Sequence, residues 1–265
     1  MYLSAERLAL ANQTVKETFE QCSVAWQAIP HWDTRDPSQT QVPNDNVKNP
    51  QILSLTPPIT VPAFNVTLAE AIAPTPDAVL ATVIINAVAL AAKVDDAVFT
   101  ALRTGANTEQ IKGSATTQEI LDALIAARAD VENSGYRAPS CLVTNTKGLQ
   151  ELTKLTTSGF PGTDVLLPPA NINSLQRAGA LENPVPSKKF VLAYLLGRRQ
   201  RIAPGDAMDA SPGEEALDLA VSIPPSLEVV GEALPLSPNS IQLVVKIGFA
   251  LRVKDLSGYV AILNP

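Results

Sequence analysis

Residues 75–105 read TPDAVLATVIINAVALAAKVDDAVFTALRTG. Thr75-Pro76-Asp77 has the form of a helix start: a hydroxyl to cap free amides, a proline at the first helical position and an acid in the first turn. No Gly or Pro follows until Gly105, which predicts a helix of roughly 29 residues, about 43 Å at 1.5 Å per residue. Its first half carries Val79, Leu80, Val83, Ile84, Ile85, Val88 and Leu90. Apolar side chains on every side of a helix predict cover all round. The uncharged run 78–92 is shorter than the roughly 20 residues of a membrane span, and much of it is alanine or polar. It reads as a helix of a folded core, with no membrane partner. Asp95-Asp96 falls where the helix turns amphipathic and reads as a solvated face.

Downstream, Thr116-Thr117-Gln118-Glu119 fits a capping box. Ile120, Leu121, Leu124, Ile125 and Val131 then supply a buried stripe that Gly135 can end. Ser140–Asn145 reads as a strand, and Leu149, Leu152 and Leu155 as one face of a third helix. Between Gly159 and Pro238, short strands are expected at Val165–Leu167, Phe190–Leu196, Leu217–Ser222 and Leu227–Val230. Ile241, Leu243, Val245, Ile247, Phe249, Leu251 and Val253 alternate with Gln242, Lys246, Gly248, Arg252 and Lys254. This period of two predicts one half-buried strand of about 43 Å, far beyond the usual five or six residues. A turn at Asp255–Gly258 and a returning strand at Tyr259–Leu263 follow. No internal repeat is visible.

Upstream, Leu3, Leu8, Ala11, Val15 and Phe19 suggest a short amphipathic helix, an arm that docks on something else. Pro30, Pro37, Pro43, Pro50, Pro57, Pro58 and Pro62 then stud a segment rich in Asn, Gln, Asp and Thr. Each proline removes a donor and fixes φ, so the segment is expected to be disordered or an extended loop held by a neighbour.

The 265 residues carry a formal net charge of −6, and only 17% are charged. An ordinary domain has about 25%, so part of this surface is expected to be covered by partners, most simply copies of the chain itself. The acidic balance argues against a phosphate-gripping protein. Arg198, Arg199 and Arg201 form the one basic cluster, a solvated turn in the plainer reading and a phosphate or partner contact in the sharper one. His31 is the single histidine, which excludes a multi-histidine metal site, and its plainer role is packing. Glu214-Glu215 reads as solvated. Cys22 and Cys141 match no metal spacing, and Cys141 lies in an apolar run where a free thiol behaves as a small hydrophobe. A reducing compartment is therefore expected. Residues 1–19 contain Glu6, Arg7, Lys16 and Glu17 where a secretory apolar core would sit. No nucleoside-phosphate glycine motif follows a candidate strand. No catalytic residue, cofactor or metal is predicted, and the chain reads as a non-enzyme.

The order of these elements resembles the tailed-phage major capsid fold, the Hong Kong 97-type fold that encapsulins share. Val61-Pro62-Ala63-Phe64, the helix ending Val94-Asp95-Asp96-Ala97-Val98-Phe99, and Ile111-Lys112-Gly113-Ser114 resemble an encapsulin passage. Leu142-Val143-Thr144-Asn145 and Phe249-Ala250-Leu251-Arg252-Val253-Lys254-Asp255 look more like phage capsid subunits. The similarity runs from about Thr60 to Leu263; before that it is architectural.

The resemblance implies an α+β fold with residues 1–29 as N-terminal arm and 30–74 as extended loop. Residues 75–137, with the long spine helix, and the return strands 236–265 would form a peripheral domain, and 138–235 an axial domain. It implies a major capsid protein that self-assembles through pentamers, or pentamers and hexamers, into an icosahedral phage head in the host cytoplasm and virion. The head would enclose DNA without sequence-specific binding, with scaffold, portal or decoration proteins as further candidate partners. The alternative is an encapsulin shell around a cargo enzyme in the cytoplasm; a distant third is a small-molecule enzyme or binding domain using His31. A loop laid across a neighbour makes Trp32, Asp33, Arg35, Pro57, Pro58 and Phe64 candidate inter-subunit contacts. The chain lacks a long charged helical stretch before the arm, which implies a separate scaffold or none. Its start differs from the usual encapsulin beginning.

Overall fold

The computed structural model describes residues 3–103, 107–110, 116–154, 159, 161–182, 190–199, 215–232 and 240–264. The chain opens with α1 (Ala5–Cys22) and α2 (Val24–Ala28), then the short strands β1 (His31–Asp33), β2 (Gln41–Pro43), β3 (Ile52–Ser54), β4 (Ile59–Thr60) and β5 (Phe64–Thr67). Next come α3 (Leu68–Ile72), α4 (Asp77–Leu102), β6 (Asn107–Gln110), α5 (Thr117–Asn133), β7 (Ala138–Thr144), α6 (Thr146–Thr153) and α7 (Gly162–Leu166). Strands β8 (Ile172–Arg177), β9 (Phe190–Arg198), β10 (Leu217–Glu232), β11 (Ser240–Val253) and β12 (Tyr259–Asn264) complete it.

One sheet has the order β1-β10-β11-β4, with β5 also on β11; the other has the order β6-β12-β9-β7-β8. Strand β10 is a single strand where two were expected. Its pairing with β11 shifts register between Val221 and Ser226, at the Pro224-Pro225 bulge. Strand β1 pairs with β10 only through Val221, so both prolines sit on an open edge where no ladder donor is needed. Strand β12 does not return along β11. It joins the second sheet, antiparallel to β9 and parallel to β6. The expected boundary at 235 therefore cuts the β10–β11 pair, and the segment 236–265 divides between two sheets. Val165 also lies in a helix, α7, too short for its periodicity to be readable.

Helix α4 begins at Asp77, one residue later than read. Pro76 turns the chain into it, its carbonyl accepting from Leu80 N–H at 3.0 Å, and no side chain caps the end. Two contacts fix α1 beside it. The Arg7 guanidinium donates to the carbonyls of Ala71 and Ala73, and the far end of α1 meets Asp95, so α1 and α4 run parallel. They pack over β10 and β11 respectively. The arm thus docks on its own chain, burying Ala11, Val15 and Phe19.

Capping chemistry behaves as read in α5. Thr116 and Glu119 form both halves of a capping box. Gly135, at φ 92°, ends the helix: its N–H bonds the Glu132 carbonyl and that of Tyr136 bonds Val131, the paired closure that needs a left-handed residue. The core is continuous from the helices into the second sheet, where Phe99 of α4 stacks at 6.3 Å on Tyr194 of β9.

Candidate assembly surfaces

The proline-rich segment is neither disordered nor free of its own chain. Strands β2 and β3 pair as a hairpin, and Val42 and Leu55 are buried against Ala220 and Ala250 in a small second core. Alternation explains the site: Leu219 and Leu251 face the helices, so Ala220, Ala250, Asp218 and Arg252 face the other side of the sheet. There Asp218 and Arg252 are a directly opposed cross-strand pair. Arg252 Nε and Nη2 donate to the two Asp218 carboxylate oxygens at 2.6 and 2.7 Å, and Lys254 Nζ adds a third bond at 2.9 Å.

Asp218 is fully buried and Arg252 nearly so, and a buried charge pair survives only with such saturation. The hairpin closes over it. Arg252 pairs with Asp45 and donates to the Pro43 carbonyl, Asn46 donates to the Val253 carbonyl at 3.1 Å, and the Arg252 guanidinium lies 4.9 Å from the Trp32 ring centroid. Burial acts to lower the Arg252 pKa, but the Asp218 and Asp45 carboxylates outweigh it and raise it.

The six candidate contact residues are not brought together. Trp32 is half-buried in β1, its indole Nε1 3.4 Å from Asp218. Asp33 is exposed and accepts the Arg35 N–H at 2.7 Å, stabilising the left-handed turn at Arg35, φ 62°. Pro57 follows a cis peptide bond and is exposed, with Pro58 half-buried beside it. Phe64 pairs with Leu243 and packs on the main core. Trp32 reaches β11 at the level of Ala250, through Ala220. Seven residues from Leu243 to Ala250, at 3.3 Å each, separate the two aromatics by about 23 Å. Arg252, Asp218 and Asp45, the residues that hold the hairpin, were missed. Positions 45, 218 and 252 are far apart in sequence, and only the alternation of β11, with Arg252 between Leu251 and Val253, hinted at one of them.

Asp95 corrects a second reading. Its carboxylate is buried and accepts from Ser23 Oγ at 2.7 Å and from the N–H groups of Val24 and Ala25 at 3.0 and 2.9 Å. It therefore caps α2 from the spine helix, while Asp96 is exposed. Burial raises the Asp95 pKa, and these hydrogen bonds only partly oppose it. His31 stacks on Trp26 at 3.7 Å, which in turn meets Phe19 edge-on. Cover of the ring by Trp26 lowers its pKa, while the residue as a whole stays exposed.

Other polar readings shift as well. Arg198 and Glu215 are buried instead of solvated, and Arg199 lies 5.1 Å from the Tyr136 ring; Arg201 and Glu214 are outside the described residues. Burial and the Asp255 carboxylate it donates to push the Tyr136 hydroxyl up to about 12. Among the described residues no three His, Cys, Asp or Glu side chains lie close enough to hold a metal ion.

The subunit leaves several large apolar side chains uncovered. The spine helix is not enclosed all round, because the sheet and α1 cover only the side with Val79, Val83, Ala87 and Leu90. Ile84, Ile85 and Val88 remain 42%, 69% and 43% exposed. The hairpin tip bares Val47 and Ile52, and the far end of β10 bares Val229 and Val230.

No protein-family model and no curated protein matches the chain. Solved structures do. A virus-like particle from Pyrococcus furiosus superposes with a TM-score of 0.70 at 14% identity, covering 97% of this chain and 98% of that one. The mature capsid of bacteriophage PhiM1 gives 0.55 at 8% identity over 91% and 87%, and the capsid of a native GTA particle gives 0.55 at 13% over 95% and 90%. At these identities the likeness is one of fold, and by it the chain has the α+β, Hong Kong 97-type fold shared by phage capsid and virus-like-particle subunits.

Proposed function

We propose that the chain is a structural subunit that assembles with copies of itself into a closed icosahedral shell, and that it is not an enzyme. The observation that carries this reading is the near-complete mutual coverage with a particle-forming subunit. The uncovered apolar residues of α4, β10 and the hairpin tip support it, since exposed apolar patches mark surfaces that partners bury. Composition supports it too: only 17% of the residues are charged, and a surface with so few charges is one that partners cover.

In this assembly residues 1–29 are the arm and 30–74 the loop segment. The spine helix with the β10–β11 pair forms the periphery, and the sheet containing β7 and β9 the capsomer centre. Trp32, Asp33, Arg35, Pro57, Pro58 and Phe64 flank the face the loop segment offers to a neighbour.

The leading content is DNA in a phage head, supported by the phage capsids among the structural matches. The higher TM-score and matched length of the virus-like particle favour a second reading, a nanocompartment around a cargo protein. Particles purified from the native host and treated with nuclease distinguish them. Protected DNA supports the head, a co-purifying enzyme without nucleic acid supports the compartment, and a monodisperse 28.0 kDa chain overturns both.

A further inference from the structure

The spine helix carries a face that its own subunit leaves open and whose charges specify a partner. From Ala78 to Ala92 no charged residue occurs. Ala78, Ala81, Ile85, Val88, Ala89 and Ala92 recur at spacings of three and four, the spacing of a single helix face, and each is exposed. Ile85, the most exposed large apolar side chain of α4, lies at the midpoint. One charge closes each end: Asp77, eight residues before Ile85, and Lys93, eight residues after it. Lys93 donates only to the neutral Thr60 carbonyl at 2.8 Å. Among the described residues neither Asp77 nor Lys93 has an ion-pair partner.

We infer that this face is an isologous contact in which the spine helices of two copies pack antiparallel about a twofold axis at Ile85. The charge order decides the direction. Antiparallel packing sets Asp77 of each copy at the level of the other copy's Lys93, at both ends of the seam, and opposes the helix dipoles. Parallel packing would set acid against acid and base against base. Small residues on either side of Ile85 let the axes approach to the 8–10 Å typical of packed helices. A twofold contact needs a patch complementary to itself, and this one is: apolar at the centre, opposite charges at equal distances. The inference rests on the reading that copies of this chain associate, and adds which faces meet.

The test uses the full chain with Cys22→Ser, which removes the exposed native thiol. A residue on the axis faces itself, so Ile85→Cys is expected to form a self-disulfide under mild oxidation, within the 4.4–6.8 Å Cα separation such bonds need. Ala78→Cys and Ala92→Cys should each remain uncrosslinked alone but join when co-expressed. Particles that form while none of these pairs crosslinks would overturn the pairing and leave the shell reading standing. A chain that stays monomeric throughout would overturn both. Charge reversal gives a readout independent of cysteine. Asp77→Lys and Lys93→Asp should each weaken self-association about tenfold, the size expected when two rim ion pairs become two like-charge contacts. The double variant should restore it, and failure of that rescue would also overturn the pairing.

Discussion

Replacing Arg252 by Met keeps most of the buried stem and removes the guanidinium, so it tests the charge cluster beneath the hairpin with little change in volume. Asp218 would keep its 2.9 Å bond to Lys254 and the 3.4 Å approach of Trp32 but lose both short bonds from Arg252. Removing one member of a buried pair typically costs 3–5 kcal/mol. Because Lys254 remains, the lower end applies, about 3 kcal/mol. For a chain of this size 1 kcal/mol moves Tm by about 2–4 °C, so Arg252→Met should melt roughly 6–12 °C lower by calorimetry at fixed protein concentration. The comparison is Lys246→Met. Lys246 and Glu228 are also a close pair, at 2.6 Å, but the Glu228 side chain is half exposed, and such pairs contribute about 0–1 kcal/mol. A melt of Arg252→Met within 2 °C of the parent, or no lower than that of Lys246→Met, would refute the reasoning.

Two further outcomes follow from the same geometry. Asp95 has its pKa raised in the folded chain by burial, so its favourable contribution is complete below the unfolded value of about 3.9 and is lost as pH rises through the folded one. Asp95→Asn, which does not ionise, should therefore cost more stability at pH 4 than at pH 7 in urea titrations, and a larger cost at pH 7 would contradict the assignment. Exchanging Gln41–Leu53 for a short Gly-Ser linker removes Val42 from the second core at about 2 kcal/mol. The chain should keep its circular dichroism spectrum but form no closed shells, and particles of unchanged diameter would show the hairpin to be dispensable.

What could be read from sequence was what depends on near neighbours. The Thr116–Glu119 capping box, the Gly135 stop and the alternation from Ile241 to Ile247 all involve residues within a few positions of each other, and each appears in the fold; past Ile247 the burial inverts, with Ala250 and Arg252 buried beneath the hairpin and Phe249, Leu251 and Val253 half-buried. What could not be read depends on which segments meet. Pro224-Pro225 reads as a break until β1 is seen to end at Val221 and leave the edge open. Asp95 reads as a solvated acid until α2 places three donors over it. Local apolarity also marked the spine helix for complete burial, whereas the subunit buries one side of it. Ile85→Asp is accordingly expected to leave the chain folded and to act on association, because the 69% exposed side chain contributes little to the subunit core. Among the contact candidates, the composition of the proline-rich segment pointed to a segment held down by something, but the residues that hold it lie on β10 and β11.

The most direct test of the central claim is the mass of the expressed full-length chain, measured particle by particle together with negative-stain images of the same preparation. The account predicts closed, uniform particles whose mass is a large multiple of 28.0 kDa. A stable population at the mass of one chain, without particles at any working concentration, would contradict it.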